Sequence, residues 1–215
     1  DFKSIINKKE IINILCVNRD LMIRTFCLVS HNNLFTMASS RLGGDILATN
    51  AILFQIMSIF SYAFDGIANT ASVFSGRARG RKNNTLMKNC WKQTFFWGII
   101  ATILITIVFV LFNRTIIEIF TKLPNILILT QKYSIWLVLY PSIAFLGLTF
   151  YGVFTGAAKT VPIMTSTVLA FISFFIAWKF LIPIYGNNGV WLSLLVFYLG
   201  RGIFLIPQLK KTLTN

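Results

Sequence analysis

The chain has 215 residues, 56% of them hydrophobic and only 12% charged, with 21 Phe and a mean hydropathy of +0.73. Soluble domains average about 25% charged residues, so this composition excludes an ordinary water-soluble fold and points to a bilayer. The formal charge of +14 does not point to nucleic acid, because the cations sit in short connections between apolar spans, where the positive-inside rule puts them.

Residues 1–20 form a mixed, polar lead-in without a cleavable signal, and a start at Asp1 rather than Met fits a piece of something longer. A transmembrane lobe is expected over 21–207, followed by a short tail at 208–215. Six spans fall within the lobe, each about the length needed to cross hydrocarbon, roughly 18 residues or more. The first, Leu21 to Ser40, is the weakest, since Arg24, His31, Asn32 and Asn33 interrupt it. The others are Ile46 to Ser75, Thr94 to Phe112, Tyr133 to Phe154, Ile163 to Ile182 and Val190 to Ile206. Between the third and fourth spans, Ile116-Ile117-Glu118-Ile119-Phe120 is amphipathic and is expected as a short helix lying at the surface. The fold class is therefore an all-α membrane protein, a six-helix transmembrane bundle.

Lys3, Lys8, Lys9, Arg19, the run from Arg77 to Lys92, Lys159, Lys210 and Lys211 fall on one side of this topology. Arg41, Arg114, Lys122 and Lys132 fall on the other, so both termini are expected in the cytoplasm. Arg24 and Arg201 lie near cytoplasmic span ends and Lys179 near an outer end, positions where a long side chain snorkels to the interface. Cys16, Cys27 and Cys90 make neither a disulfide framework nor a metal motif.

The second span carries the most telling pattern. Gln55, Ser58, Tyr62, Asp65, Asn69, Ser72 and Gly76 recur at alternating intervals of three and four residues, which places them on one side of a helix. Lipid cannot satisfy such a line, so it faces protein or water. Asp65 stands in its middle, about 15 Å from the cytoplasmic end by helix rise. An acid at that depth is expected to take up and release a proton or cation on a transport path, unless helix neighbours or Arg24 simply tie it down. His31 enters from the opposite direction to a similar depth and, with Arg24, is within reach as a partner of Asp65. Its neighbours Asn32 and Asn33 make a tolerated polar substitution the plainer reading. The remaining stripe residues could bind substrate or glue helices together. Gly76-x-x-x-Gly80 favours close helix packing, and Pro141 in the fourth span permits a bend useful for gating. One histidine and no Ser/His/Asp grouping leave an enzyme without machinery, and no metal or organic cofactor is expected.

Two blocks resemble the multidrug and toxic compound extrusion (MATE) family, in its DNA-damage-inducible-F-like branch. One is Arg41-Leu42-Gly43, Ala48-Thr49-Asn50-Ala51, Ala63-Phe64-Asp65-Gly66 and Ser75-Gly76-Arg77-Ala78-Arg79-Gly80. The other is Gly152-Val153-Phe154-Thr155-Gly156-Ala157-Ala158-Lys159, then Gly189-Val190-Trp191-Leu192 and Arg201-Gly202. Asn18-Arg19-Asp20 fits the lead-in. The resemblance implies the C-terminal lobe, helices seven to twelve, of an antiporter in an inner or plasma membrane. Such proteins export small cationic or amphipathic compounds in exchange for protons or sodium ions by alternating access, together with a six-helix N-terminal lobe that this chain lacks. The family's acids give way here to Ser72 and Tyr151, its glutamine to Arg77, and an apolar stretch to His31-Asn32-Asn33. Those departures leave two other readings open. One is a non-transporting remnant or split-gene half. The other is a related flippase for lipid-linked substrates, which needs a more basic cavity than Arg24 alone supplies.

Overall fold

The computed structural model describes residues 8–213, and among these there are eight helices and no strand. They are α1 (Lys8–Arg41), α2 (Gly44–Gly80), α3 (Asn84–Phe120), α4 (Pro124–Tyr133), α5 (Ile135–Gly156), α6 (Val161–Tyr185), α7 (Asn187–Ile203) and α8 (Ile206–Leu213). Five of the described helices are long and apolar enough to cross a membrane: α2, α3, α5, α6 and α7 with its extension to Leu209. The polar insertions keep α1 out of that set, yet it is one helix of 34 residues packed against α6 and α2. At 37 residues each, α2 and α3 span about 55 Å, well beyond a hydrocarbon core of about 30 Å. Their surplus and the turn between them carry the Arg77 to Lys92 cations, and this side of the molecule is the basic end.

The connections are short and chemically specified. Gly43 turns α1 into α2 at φ 114°, a conformation that a side chain would oppose. The side chain of Asn83 accepts the Leu86 N–H at 2.9 Å and starts α3. The helical path of α3 breaks at Phe112 (φ −114°, ψ 18°), where the third span was expected to end. Past that kink residues 113–120 form the short helix expected there, joined end to end with the span. Ile117 turns into the bundle there, while Ile119 stays exposed. The Arg114 Nε–H donates to Glu118 at 2.7 Å and holds that carboxyl below its ordinary range. Two helices were not anticipated, α4 and α8; Pro at the first turn pre-sets the entry to α4.

Within the bundle α5 and α7 are the inner helices, whereas α3 offers Ile103, Leu104, Ile107, Val108 and Leu111 to lipid. Trp191, Tyr140, Phe64, Phe109, Phe154, Phe174 and Phe197 are fully buried between them. Away from the basic end, Asn50 is a shared polar knot. Its Nδ2 donates to Ser39 Oγ (2.8 Å) and Asn187 Oδ1 (2.6 Å), and its Oδ1 accepts from Trp191 Nε1 (2.9 Å) and Asn187 Nδ2 (3.2 Å). All four residues are buried, so α1, α2 and α7 are joined where no water could replace a lost partner.

Helices α2 and α5 approach each other very closely. A Cβ on Gly152 would collide with the Ala68 carbonyl, and one on Gly156 with the Ser72 carbonyl and Ser75 Oγ. Gly76 meets the Gly156 carbonyl from the other side, whereas Gly80 has nothing near it. The small-residue packing motif is thus Gly152-x-x-x-Gly156, and Gly80 has no part in it. Gly152→Val should cut the monodisperse yield in detergent severely, a clash of this kind costing about 1–3 kcal/mol or more, while Gly80→Ala should leave it unchanged. Asn50→Leu should lower the unfolding midpoint by at least about 2 kcal/mol in stability, by stranding Trp191 Nε1 and Asn187.

Candidate functional site

The face of α2 that carries Leu53, Ile56, Phe60, Phe64, Ala68, Ala71 and Ser75 is buried in the bundle. The polar stripe falls on the side turned away from it. Gln55, Tyr62 and Asn69 are exposed, with Tyr62 at 68%, and Ser58, Asp65, Ser72 and Gly76 are half-buried. Two of these serve the helix itself: Ser58 Oγ donates to the Phe54 carbonyl, and the Ser72 carbonyl accepts from Ser75 Oγ. Pro141 is buried in α5, where its missing N–H leaves the Leu137 carbonyl free, and Thr102 Oγ1 approaches the Pro141 carbonyl at 3.5 Å.

Asp65 is the stripe residue with a partner on another helix. Tyr151 Oη donates to its Oδ1 at 3.1 Å. The pairing follows from the α2–α5 contact, because Gly152 lets the α5 backbone come close enough for its neighbour Tyr151 to reach Asp65. Arg24 of α1 stacks on the far side, its Cζ 4.8 Å from the Tyr151 ring centroid. It makes no ion pair with Asp65, and its Nε is buried without a hydrogen-bond partner.

His31 is elsewhere. It lies on the same face of α1 as Arg24 but two turns along, about 10 Å by helix rise. There it is fully buried, stacked on Phe197 (4.2 Å) and edge-on to Phe174 (5.1 Å) and Tyr198 (5.8 Å). The structure therefore places it in an aromatic box and forms no His31–Asp65 pair among the described residues.

Five residues here were absent from the sequence reading as participants. Tyr151 was noticed there only as a departure from an acid. Tyr140 Oη and Ser61 Oγ share a hydrogen bond of 2.7 Å, and Tyr140 meets Tyr198 edge-on at 4.9 Å. Arg201 was expected to snorkel, yet it is 4% exposed. Its guanidinium lies 5.9 and 5.8 Å from the Phe197 and Tyr198 rings, within electrostatic reach of Arg24 and Tyr151. The cause is again glycine: Gly147 and Gly202 bring α5 and α7 together over the Arg201 backbone, where a Cβ on Gly147 would meet Arg201 Cβ at 3.0 Å.

Two recesses lie elsewhere on the bundle. A largely apolar groove of about 590 Å³ runs between α2 and α3, lined by Ile67, Phe74, Leu86, Cys90, Gln93 and Trp97 among others, and no stripe residue borders it. At the basic end a recess of about 690 Å³ lies between α1 and the turn from α5 to α6. Beside it Asp20, 2% exposed, accepts from Arg19 Nη2 and from Thr160 Oγ1, both at 2.9 Å, and so fastens α1 to that turn. Burial, and then the neighbouring Arg79, pull Lys159 below the ordinary lysine range.

An apolar helical bundle with this interior matches one lobe of a MATE transporter. The chain belongs to the MatE family, whose model matches residues 21–181. It is similar to the DNA damage-inducible protein F of Escherichia coli strain K12, 31% identical over 202 residues, across 94% of this chain and 44% of that protein. Two solved structures share the fold. One, described as MATE in the bent conformation, superposes with a TM-score of 0.76 at 16% identity, over 90% of this chain and 44% of that one. The other is a MOP superfamily transporter from Pyrococcus furiosus described as having a binding pocket of reverse polarity, with a TM-score of 0.75 at 18% identity, over 90% and 43%. The chain thus spans less than half the length of these relatives.

The exposed stripe is open to a direct test. In a Cys16→Ser background, cysteines placed at Gln55, Tyr62 and Asn69 should react with a hydrophilic maleimide in the complete protein at least about tenfold faster than one at Ile59, because thiolate chemistry needs water. The buried native Cys27 and Cys90 should stay unreactive.

Proposed function

We propose that this chain forms one lobe of a secondary active antiporter in an inner or plasma membrane, with both termini cytoplasmic. Joined to a six-helix partner lobe, it exports drugs or other amphipathic compounds in exchange for protons or sodium ions by alternating access. The observation that carries this reading is the Asp65–Tyr151 hydrogen bond on the open polar side of α2. Ionisable groups inside a membrane cost several kcal/mol or more to keep there and mark ion and substrate paths by default.

The pair has the chemistry of a coupling site. An ionised Asp65 can only accept, so Tyr151 must donate to it. Protonation turns the carboxyl into a donor as well, and the phenol is then free to turn to another acceptor or to water. A sodium ion would displace the phenol proton from the carboxylate oxygen to similar effect. Tyr62, Gln55, Asn69 and Ser72 lie along the same stripe and would touch the compound in the cavity that the two lobes enclose. The family match and the fold support transport.

The test is efflux of a fluorescent amphipathic dye from proteoliposomes holding the complete protein, under imposed proton and sodium gradients. Asp65→Asn should abolish the response to the driving gradient, at least about tenfold, without abolishing dye binding. Tyr151→Phe should move the pH midpoint of efflux while leaving dye affinity within about twofold. Unaltered gradient dependence in Asp65→Asn would remove Asp65 from the coupling role. A complete protein that moves no dye under any gradient would end the antiporter reading.

A further inference from the structure

The charges around Asp65 do not balance. Arg24, stacked on the Tyr151 ring, lies within electrostatic reach of the Asp65 carboxylate and of the Arg201 guanidinium. Tyr151 already donates to the carboxylate. Neither arginine forms an ion pair with any described residue. A buried cation without a carboxylate is costly, and in hydrocarbon more so, which makes buried Arg201 and half-buried Arg24 beside a single acid an arrangement with a use.

What holds the arginines is mostly aromatic. Arg24 rests on the Tyr151 ring, and Arg201 packs against Phe197 and Tyr198. A ring face attracts the charge but uses none of the five guanidinium N–H donors. Arg24 is half-buried at the wall, and its Nε has no hydrogen-bond partner. Arg201 stands behind it, 4% exposed. The next titratable ring, His31, is sealed in its aromatic box and contributes no negative charge. Neutralising Asp65 by protonation would leave the wall still more positive.

We propose that this wall receives the acidic head of an anionic amphiphile, a sulfonate, carboxylate or phosphate, at Arg24, while Arg201 behind it keeps the local potential positive. This assignment rests on the transporter reading and names its substrate class. A pair of oxygens on a carboxylate, sulfonate or phosphate matches the donor fork of a guanidinium, which is why Arg24 rather than a lysine suits the position. An organic cation would meet two positive charges and a carboxylate already engaged by a phenol. The same head could arrive on a soluble compound or on a membrane lipid, and the chemistry at Arg24 is common to both.

The experiment is a fluorescence titration of the complete protein in nanodiscs of neutral phosphatidylcholine. One probe is 8-anilinonaphthalene-1-sulfonate and the other is ethidium, with empty nanodiscs as the blank. The sulfonate should bind at least about tenfold more tightly than ethidium, the worth of one charge-assisted hydrogen bond. Arg24→Gln should weaken the sulfonate about tenfold or more and leave ethidium unchanged or tighter. Arg201→Lys should keep the preference and Arg201→Gln should reduce it. Asp65→Asn should tighten the sulfonate. Phosphatidylglycerol in the nanodisc should displace the dye if the natural head belongs to a lipid, and have no effect if it belongs to a soluble compound; either result agrees with an anion at Arg24. Ethidium binding as tightly as the sulfonate, or Arg24→Gln weakening both dyes alike, overturns the inference and leaves the transporter reading standing. Binding of neither dye overturns both. The wild-type comparison decides the question even if the Arg201 variants fail to fold.

Discussion

The approach of the α2 and α5 backbones at Gly152 and Gly156 is the contact on which the rest of this lobe depends. The two helices run in the same direction, and no side chain on α5 separates them along that seam. Once Gly152 faces Ala68 and Gly156 faces Ser72, the register of α5 is set. Tyr151 then reaches Asp65, and Tyr140, eleven residues earlier, reaches Ser61. Without hydrophobic attraction between helices in lipid, association rests on this kind of close packing and on hydrogen bonds between helices. A larger residue at either glycine would move both tyrosines away from their partners.

Polar groups inside the lobe follow two different rules. Those around Asn50 are mutually satisfied and bring α1, α2 and α7 together at the end opposite the cations. Asp20 does the same at the basic end, where Arg19 and Thr160 complete its shell. The wall around Asp65 is different. Its carboxylate has one donor, its arginines rest on ring faces, and its stripe is open on the side away from the core. Satisfied clusters hold a bundle together, whereas this one keeps a spare donor on Arg24 and a carboxylate with a single partner. The contrast within one chain is what sets the wall apart as a site.

Much of this was legible in the residues. The alternating three- and four-residue intervals of the stripe required one helix with one polar side, and α2 runs unbroken through all of them. The end of the third span at Phe112 coincides with the break in α3, because polar Asn113 and Arg114 follow there. Other features were misplaced for identifiable reasons. Gly76 and Gly80 have the spacing of a packing motif, but spacing does not say which neighbour a glycine meets: Gly76 does meet Gly156, Gly80 meets nothing, and Gly152 makes the other close contact. Arg201 lies near a span end, which suggests snorkelling; its burial depends on α5 crossing over it at Gly147. His31 and Asp65 have similar sequence depths, yet Arg24, two turns from His31, is the α1 residue at the level of Tyr151.

The sequence by itself determined the solvent of this protein, the course of its spans, and the line of polar groups with a carboxyl midway along it. These are properties of a single helix in an apolar medium, set by residue period and hydropathy alone. The tertiary structure decided which groups share the carboxyl's surroundings: a phenol from α5 and two guanidinium groups from α1 and α7, with the histidine shut away among aromatic rings. Partnership between helices depends on how closely two backbones can approach and at what register. No period within one helix encodes that distance.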